Sequence, residues 1–215
     1  QHQLACDGNV SAVIRRSIEE GSYEWPGGLR LADIVNDGDR VLELGGGLGC
    51  LATLVCSRKA VASYSIVEAN GQLLPLIDST LAANGIRNAK AHHVVLTDDP
   101  EALARGQADF YLHDDFWASS LRRAEGSTSR VTVPVESLSG WVERYRPDVI
   151  HCDIEGAEDG LFSRSSLAGV RALSVELHHD VVPAQTEQRL RSELGAKGFR
   201  CADVKPVGGV LVFQR

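Results

Sequence analysis

Val41-Leu42-Glu43-Leu44-Gly45-Gly46-Gly47-Leu48-Gly49 is a short, mostly apolar run that ends in a cluster of glycines. Leu51, Leu54 and Val55 follow at helical spacing. A strand, a tight turn and a helix in that order read as the opening unit of a parallel α/β sheet. Glycines in such a turn adopt positive φ and let a ligand approach the backbone. Gly45, Gly47 and Gly49 give the spacing E-x-G-x-G-x-G. A dinucleotide site uses G-x-G-x-x-G, which seats a diphosphate on the helix N-terminus. Counted from Gly45, the third glycine of that pattern falls on Cys50, so the pattern fails by one position. Glu43 would repel a diphosphate and suits a cationic ligand.

Strand-length apolar runs and helix-period stretches alternate outward from this turn. Asn9 precedes Val10, Val13, Ile14 and Ile18, which predicts an N-terminal helix ending near Gly21. Ser65 to Val67 reads as a second strand closing on Glu68. Leu73, Leu74, Ile77 and Leu81 predict a helix that stops at Asn84-Gly85, with Pro75 early enough in it to cost little. Ala91 to Leu96 predicts a third strand. Residues 97–130 break the rhythm and read as an insertion near the sheet's ligand edge. It holds a short helix from Asp99-Pro100 to Gly106, then a strand or hairpin with Phe110, Tyr111, Phe116 and Trp117. Those aromatics read either as local core or as a substrate wall. Val131 to Val135 resumes the alternation, and Ser137 caps a helix with Leu138, Trp141, Val142 and Tyr145 on one stripe. Strands follow at Val149 to Ile154 and Ala172 to Leu177, then a helix with Leu190 and Leu194. Arg200 to Val204 and Val210 to Phe213 predict a terminal hairpin. The sum is a mainly parallel, doubly wound α/β sheet in one domain, residues 1–215, with 1–38 as an N-terminal helical segment.

The 215 residues carry a net charge of −7, with 43% hydrophobic and 24% charged side chains. That is ordinary globular composition and disfavours disorder or a collagen-like chain. No run approaches the ~18 apolar residues of a membrane span, and no signal segment opens the chain. The negative charge argues against a nucleic-acid partner, whose affinity comes mostly from neutralised phosphates. Five cysteines without a C-x-x-C read as reduced thiols in a cytoplasmic protein, and no metal site is predicted from them. The absence of any Met reads as a fragment, a processed form or a shortened record.

S-adenosylmethionine carries a sulfonium and an ammonium and no phosphate, so an acidic rim fits it. Glu68 stands at about the interval expected of a ribose-binding carboxylate. With these residues the chain resembles the class I S-adenosylmethionine-dependent methyltransferases. Val67-Glu68-Ala69-Asn70, Ser119-Ser120-Leu121, Val133-Pro134-Val135-Glu136-Ser137-Leu138 and above all Asp153-Ile154-Glu155-Gly156-Ala157-Glu158 resemble the FkbM methyltransferase family over roughly residues 40 to 180. Asn70-Gly71 departs from that pattern, where the family commonly has proline. The resemblance implies a Rossmann-like seven-stranded sheet with a C-terminal antiparallel hairpin, and O-methylation of a small molecule, glycan or lipid-linked precursor. It places Glu43, Gly45, Gly46, Gly47, Gly49, Glu68 and Ala69 on the cofactor. By position Asp98 meets the adenine. It also sets Tyr23-Glu24-Trp25 near the cofactor entrance, where a structural clasp is the competing reading.

Asp153, Glu155 and Glu158 fall at the carboxyl end of a central strand, where open α/β sheets bind ligands. Methyl transfer from a sulfonium is an in-line displacement, so the protein aligns the acceptor and takes its proton. Asp153 or Glu155 is expected to orient or deprotonate a hydroxyl, with Glu158 in support and His178 as the alternative base or a metal ligand. A mixed Asp/Glu/His set suits Mg²⁺ or Mn²⁺ weakly, so a divalent metal is left open and not predicted. His151 reads as packed, one of His92 and His93 as exposed, and His113 as a surface ion pair with Asp114-Asp115. An NAD-dependent oxidoreductase and a non-catalytic protein of the same fold are the competing readings.

Overall fold

The computed structural model describes residues 3–5, 15–16, 20, 25–113, 119–121, 126–202 and 209–215. The predicted N-terminal helix falls almost wholly outside these residues, as do Cys6, Tyr23, Glu24, Phe116, Trp117 and the tip of the terminal hairpin.

The main sheet has seven strands. They are β1 (Arg40–Leu44), β2 (Ser63–Glu68), β3 (Ala89–His93), β7 (Val149–Cys152), β8 (Ala172–Glu176), β9 (Arg200–Cys201) and β10 (Val210–Gln214), in the order β3-β2-β1-β7-β8-β10-β9. Neighbours from β3 to β8 pair in parallel, and β10 runs against both β8 and β9. The central strands are buried on both faces, which is why they read as nearly continuous apolar runs.

Alternation along each strand sorts the core into two layers. Val41, Ile66, Val149 and Ala172 pack against helices α1 (Trp25–Ile34), α2 (Cys50–Arg58) and α3 (Leu74–Ala83) through Leu31, Leu51, Val55, Ile77 and Leu81. Leu42, Leu44, Ile150, Leu173 and Val175 face α5 (Leu138–Tyr145) and α6 (Thr186–Ala196) through Leu138, Trp141, Val142, Leu190 and Leu194. Each fully buried Leu, Ile or Val here contributes roughly 1.5–3 kcal/mol.

Two expectations about strands are corrected. Ala91 to Leu96 is not one strand: β3 ends at His93, and β4 (Val95–Thr97) leaves for a second sheet. The Val131 to Val135 run likewise does not join the main sheet. It lies within β6 (Ser127–Ser137), which pairs in parallel with β4 and antiparallel with β5 (Gln107–His113). The physical reason is a local core: Val95, Phe110, Leu112, Val133 and Val135 bury one another beneath the insertion. The expected short helix is α4 (Pro100–Arg105), capped by Asp99, whose carboxylate accepts from the Glu101 and Ala102 amides. β5 supplies the strand expected in the insertion, and its antiparallel partner β6 runs beyond the insertion's expected end to Ser137.

The chain runs outward from β1 to β3, then resumes on the other side of β1 with β7. The switch point therefore lies between β1 and β7, where Leu44 pairs with Cys152 and the Asp153 amide donates to the Leu44 carbonyl at 2.9 Å. The glycine turn and the acidic motif meet there.

Candidate functional site

A cavity opens over the carboxyl ends of β1, β2 and β7. Gly45, Gly47, Glu68, Ala69, Asp153 and Glu155 line it. Apolar walls come from Leu73, Val94, Val95, Leu96, Ile154 and Leu161, and the second sheet adds Phe110, Ser119 and Leu121. No Lys or Arg lines the cavity among the described residues. Of the insertion aromatics, Phe110 is both local core and cavity wall.

The turn is held by close contact. Gly45, Gly47 and Gly49 have φ of 90, 49 and 76. A Cβ on Gly45 would stand 1.6 Å from the Asp153 carbonyl oxygen, so glycine there lets β1 and the acidic loop touch. Gly46 and Gly49 do not line the cavity: Gly46 packs on Ile66, and Gly49 opens α2 against Ile77. Glu68 is almost fully buried. The amides of Gly46 and Gly47 both donate to its Oε2 at 3.0 Å, and the Asn70 amide donates to Oε1 at 2.7 Å. Burial pushes its carboxyl up, while these amides pull it back. The loop N–H groups that would hold a diphosphate are thus spent on a carboxylate.

Glu43 and Asp98 do not reach the cavity either. Glu43 is 1% exposed and its side chain points into the sheet's helical layer, beside Cys56 on α2. Strand alternation puts it on the face opposite Leu42 and Leu44. Asp98 is not among the lining residues either. It binds the start of α5, accepting from the Ser137 hydroxyl (2.6 Å), the Ser139 amide (3.0 Å) and the Ser139 hydroxyl (2.7 Å). These bonds outweigh desolvation and hold its carboxyl below the usual range. His151 is fully buried, as expected, and desolvation pulls its imidazole down to about 4. His93 is exposed and His92 packs edge-on against Trp141.

The acidic motif comes together by a different path from the one expected. β7 stops at Cys152, so strand alternation does not carry through to Glu155. Instead Glu155 adopts φ 51 and Gly156 φ 94, and this left-handed turn brings the Glu155 carboxylate back over Asp153. Glu158 is buried beneath them. Its Oε1 accepts from the amides of Ile154 (3.3 Å) and Gly156 (3.1 Å) and lies 3.2 Å from His178 Nδ1. His178 Nε2 lies 3.4 Å from Asp153 Oδ1 and 3.3 Å from Glu155 Oε2. Burial opposes a charge on this imidazole, but Glu155, Glu158 and Asp153 outweigh it and push it up to about 11. Set among these carboxylates, His178 is placed as their counter-ion. Ser120 ties the insertion to the turn, its hydroxyl donating to the Glu155 carbonyl at 2.8 Å.

Leu73, Ser119, Leu121 and the Val94–Leu96 wall were not assigned to the site from sequence, which had left Phe110 open between local core and substrate wall. The Ser119-Ser120-Leu121 resemblance was the signal that pointed at part of it.

No protein-family model and no curated protein matches the sequence. Solved structures do. A protein of the NADB-Rossmann superfamily from Streptococcus agalactiae is 16% identical, covering 88% of this chain and 67% of its own, with a TM-score of 0.53. The MtNAS protein in complex with MTA and tNA is 14% identical, covering 95% of this chain and 66% of its own, at 0.50. Precorrin-6y C5,15-methyltransferase from Geobacter metallireducens GS-15 is 14% identical, covering 99% and 97%, at 0.48. The fold is Rossmann-like. A likeness at these identities is one of fold, and function has to come from the site.

Proposed function

We propose that the chain is an S-adenosylmethionine-dependent methyltransferase acting on a hydroxyl of a small molecule, glycan or lipid-linked precursor. The observation that carries this reading is the engagement of the Gly46 and Gly47 amides by Glu68 in a cavity otherwise lined by acids and apolar groups. Such a turn repels a diphosphate and attracts a sulfonium. The glycine spacing and the FkbM-like motifs support the same donor and a hydroxyl acceptor. The net charge of −7 disfavours nucleic acid as acceptor. No helix among the described residues is long and apolar enough to cross a membrane.

On this reading the donor lies over Gly45 and Gly47, with its ribose on the free lone pairs of Glu68 and its methyl toward Asp153. The acceptor oxygen attacks in line, the O–CH₃ bond forms as the S–CH₃ bond breaks, and the electron pair stays on sulfur. The hydroxyl proton goes to Asp153 or Glu155, which Glu158 and His178 hold in place.

Calorimetry of the chain with S-adenosylmethionine and, separately, with NAD tests the proposal. Binding of the first alone is expected, weakened at least tenfold in Glu68→Gln, which keeps only one acceptor oxygen for the amides and ribose. Binding of NAD alone would overturn it.

A further inference from the structure

We propose that Asp153, Glu155 and His178 bind one divalent metal ion, of the Mn²⁺ type, at the acceptor end of the cavity. One ligand atom from each residue lies within 4.8 Å of the other two. The separations discriminate between a proton and an ion. Charge-assisted N–H···O bonds run ~2.7–2.9 Å. Donors ~2.1–2.3 Å from a shared ion, at right to tetrahedral angles, lie roughly 3.0–3.7 Å apart. His178 Nε2 stands 3.4 Å from Asp153 Oδ1 and 3.3 Å from Glu155 Oε2, inside the second range.

A second observation comes from outside the three ligands. Glu158 has a side chain that is 0% exposed and faces His178 Nδ1, the arrangement that orients metal-bound imidazoles. Its Oε2 has no hydrogen-bonding partner among the described residues. The ion pairs of Glu155 and Glu158 run to His178 alone among the described residues, and Glu176 stands close enough to feel both charges. One imidazole faces several carboxylates, an excess of negative charge that a divalent ion balances. One nitrogen with two carboxylate oxygens is too nitrogen-rich for Mg²⁺ and too oxygen-rich for a zinc site, which leaves Mn²⁺ the best match.

On binding, the ion takes the place of the Nε2 proton, which leaves to solvent. Its role would be to polarise the acceptor oxygen and ease loss of the hydroxyl proton to a neighbouring carboxylate or water. That role rests on the methyltransferase reading; the binding does not.

The test is Mn²⁺ alone, titrated into the full chain and followed by electron paramagnetic resonance. One bound ion per chain is expected, with electron spin echo modulation from a coordinated imidazole nitrogen. Affinity is expected to fall at least tenfold in Glu155→Gln and in His178→Gln, and to hold within twofold in Asp109→Asn, an exposed acid paired with Arg130. Should a variant fail to fold by circular dichroism, the nitrogen modulation in the unaltered chain decides. No bound Mn²⁺, or bound Mn²⁺ without nitrogen modulation, would overturn the proposal. S-adenosylmethionine binding without Mn²⁺ binding removes the metal site and leaves the methyltransferase reading standing, and the reverse result removes only that reading.

Discussion

At Gly45 the backbone takes φ 90, and the space a side chain would fill is occupied by the Asp153 carbonyl. Gly38 has a similar φ of 85 but open space around it. The pair separates strain from collision. Gly38→Ala is expected to cost about 1–2 kcal/mol, the left-handed penalty alone. Gly45→Ala is expected to cost roughly 3 kcal/mol or more and to abolish donor binding, because β1 and the acidic loop are pushed apart. Urea unfolding of both variants checks this. Cys56 gives a second residue-scale prediction. Burial, with the Glu43 charge adding, pushes its thiol up to about 12. The folded chain therefore holds the neutral thiol, and the stability that this lends is present below pH 9 and lost as pH rises toward 12. At pH 8 the thiolate fraction is about one in 10⁴. Iodoacetamide should leave the Cys56 peptide unmodified in the folded protein and label it in urea, as read by mass spectrometry. Labelling at equal rates would show that the thiol is not held.

At the scale of elements, the sequence was most legible where a cap or a period acts locally. Asp99 at the start of α4, Ser137 at the start of α5 and Asn84 after α3 stand where the sequence placed them. It was least legible at β3–β4, since an unbroken apolar run does not show that its halves join different sheets. Asp98 shows the same limit. Its position after the third strand suggested an adenine contact, but three serine-derived bonds turn it toward α5. Asp98→Ala is expected to cost about 1–2 kcal/mol of stability through the lost cap, with S-adenosylmethionine affinity unchanged within twofold. Thermal unfolding and calorimetry on the one variant check both halves. A tenfold loss of affinity without loss of stability would return Asp98 to the cofactor.

Across the whole molecule, two cores of very different size share one cavity. β1, β7 and β8 lie between both large layers of apolar side chains, whereas β4, β5 and β6 close on a small core of five buried residues. Local opening follows the amount of buried surface. Amide exchange is therefore expected to be slowest in β1, β7 and β8 and at least tenfold faster in β5 and β6, with a bound donor or acceptor slowing the second sheet through Phe110 and Leu121. Hydrogen-exchange mass spectrometry reads this directly, and uniform protection across both sheets would contradict it. Most of the main-sheet strands, the glycine turn, most caps and the identity of the acids were determined by the sequence alone, because periodicity, φ preference and charge act over a few residues. Only the tertiary structure decided that Glu43 turns inward, that Asp98 caps a helix, that Phe110 walls the cavity and that His178 sits among three carboxylates. Those outcomes depend on which strand faces pair and which loops touch, and such contacts join residues tens of positions apart, beyond the reach of any local pattern.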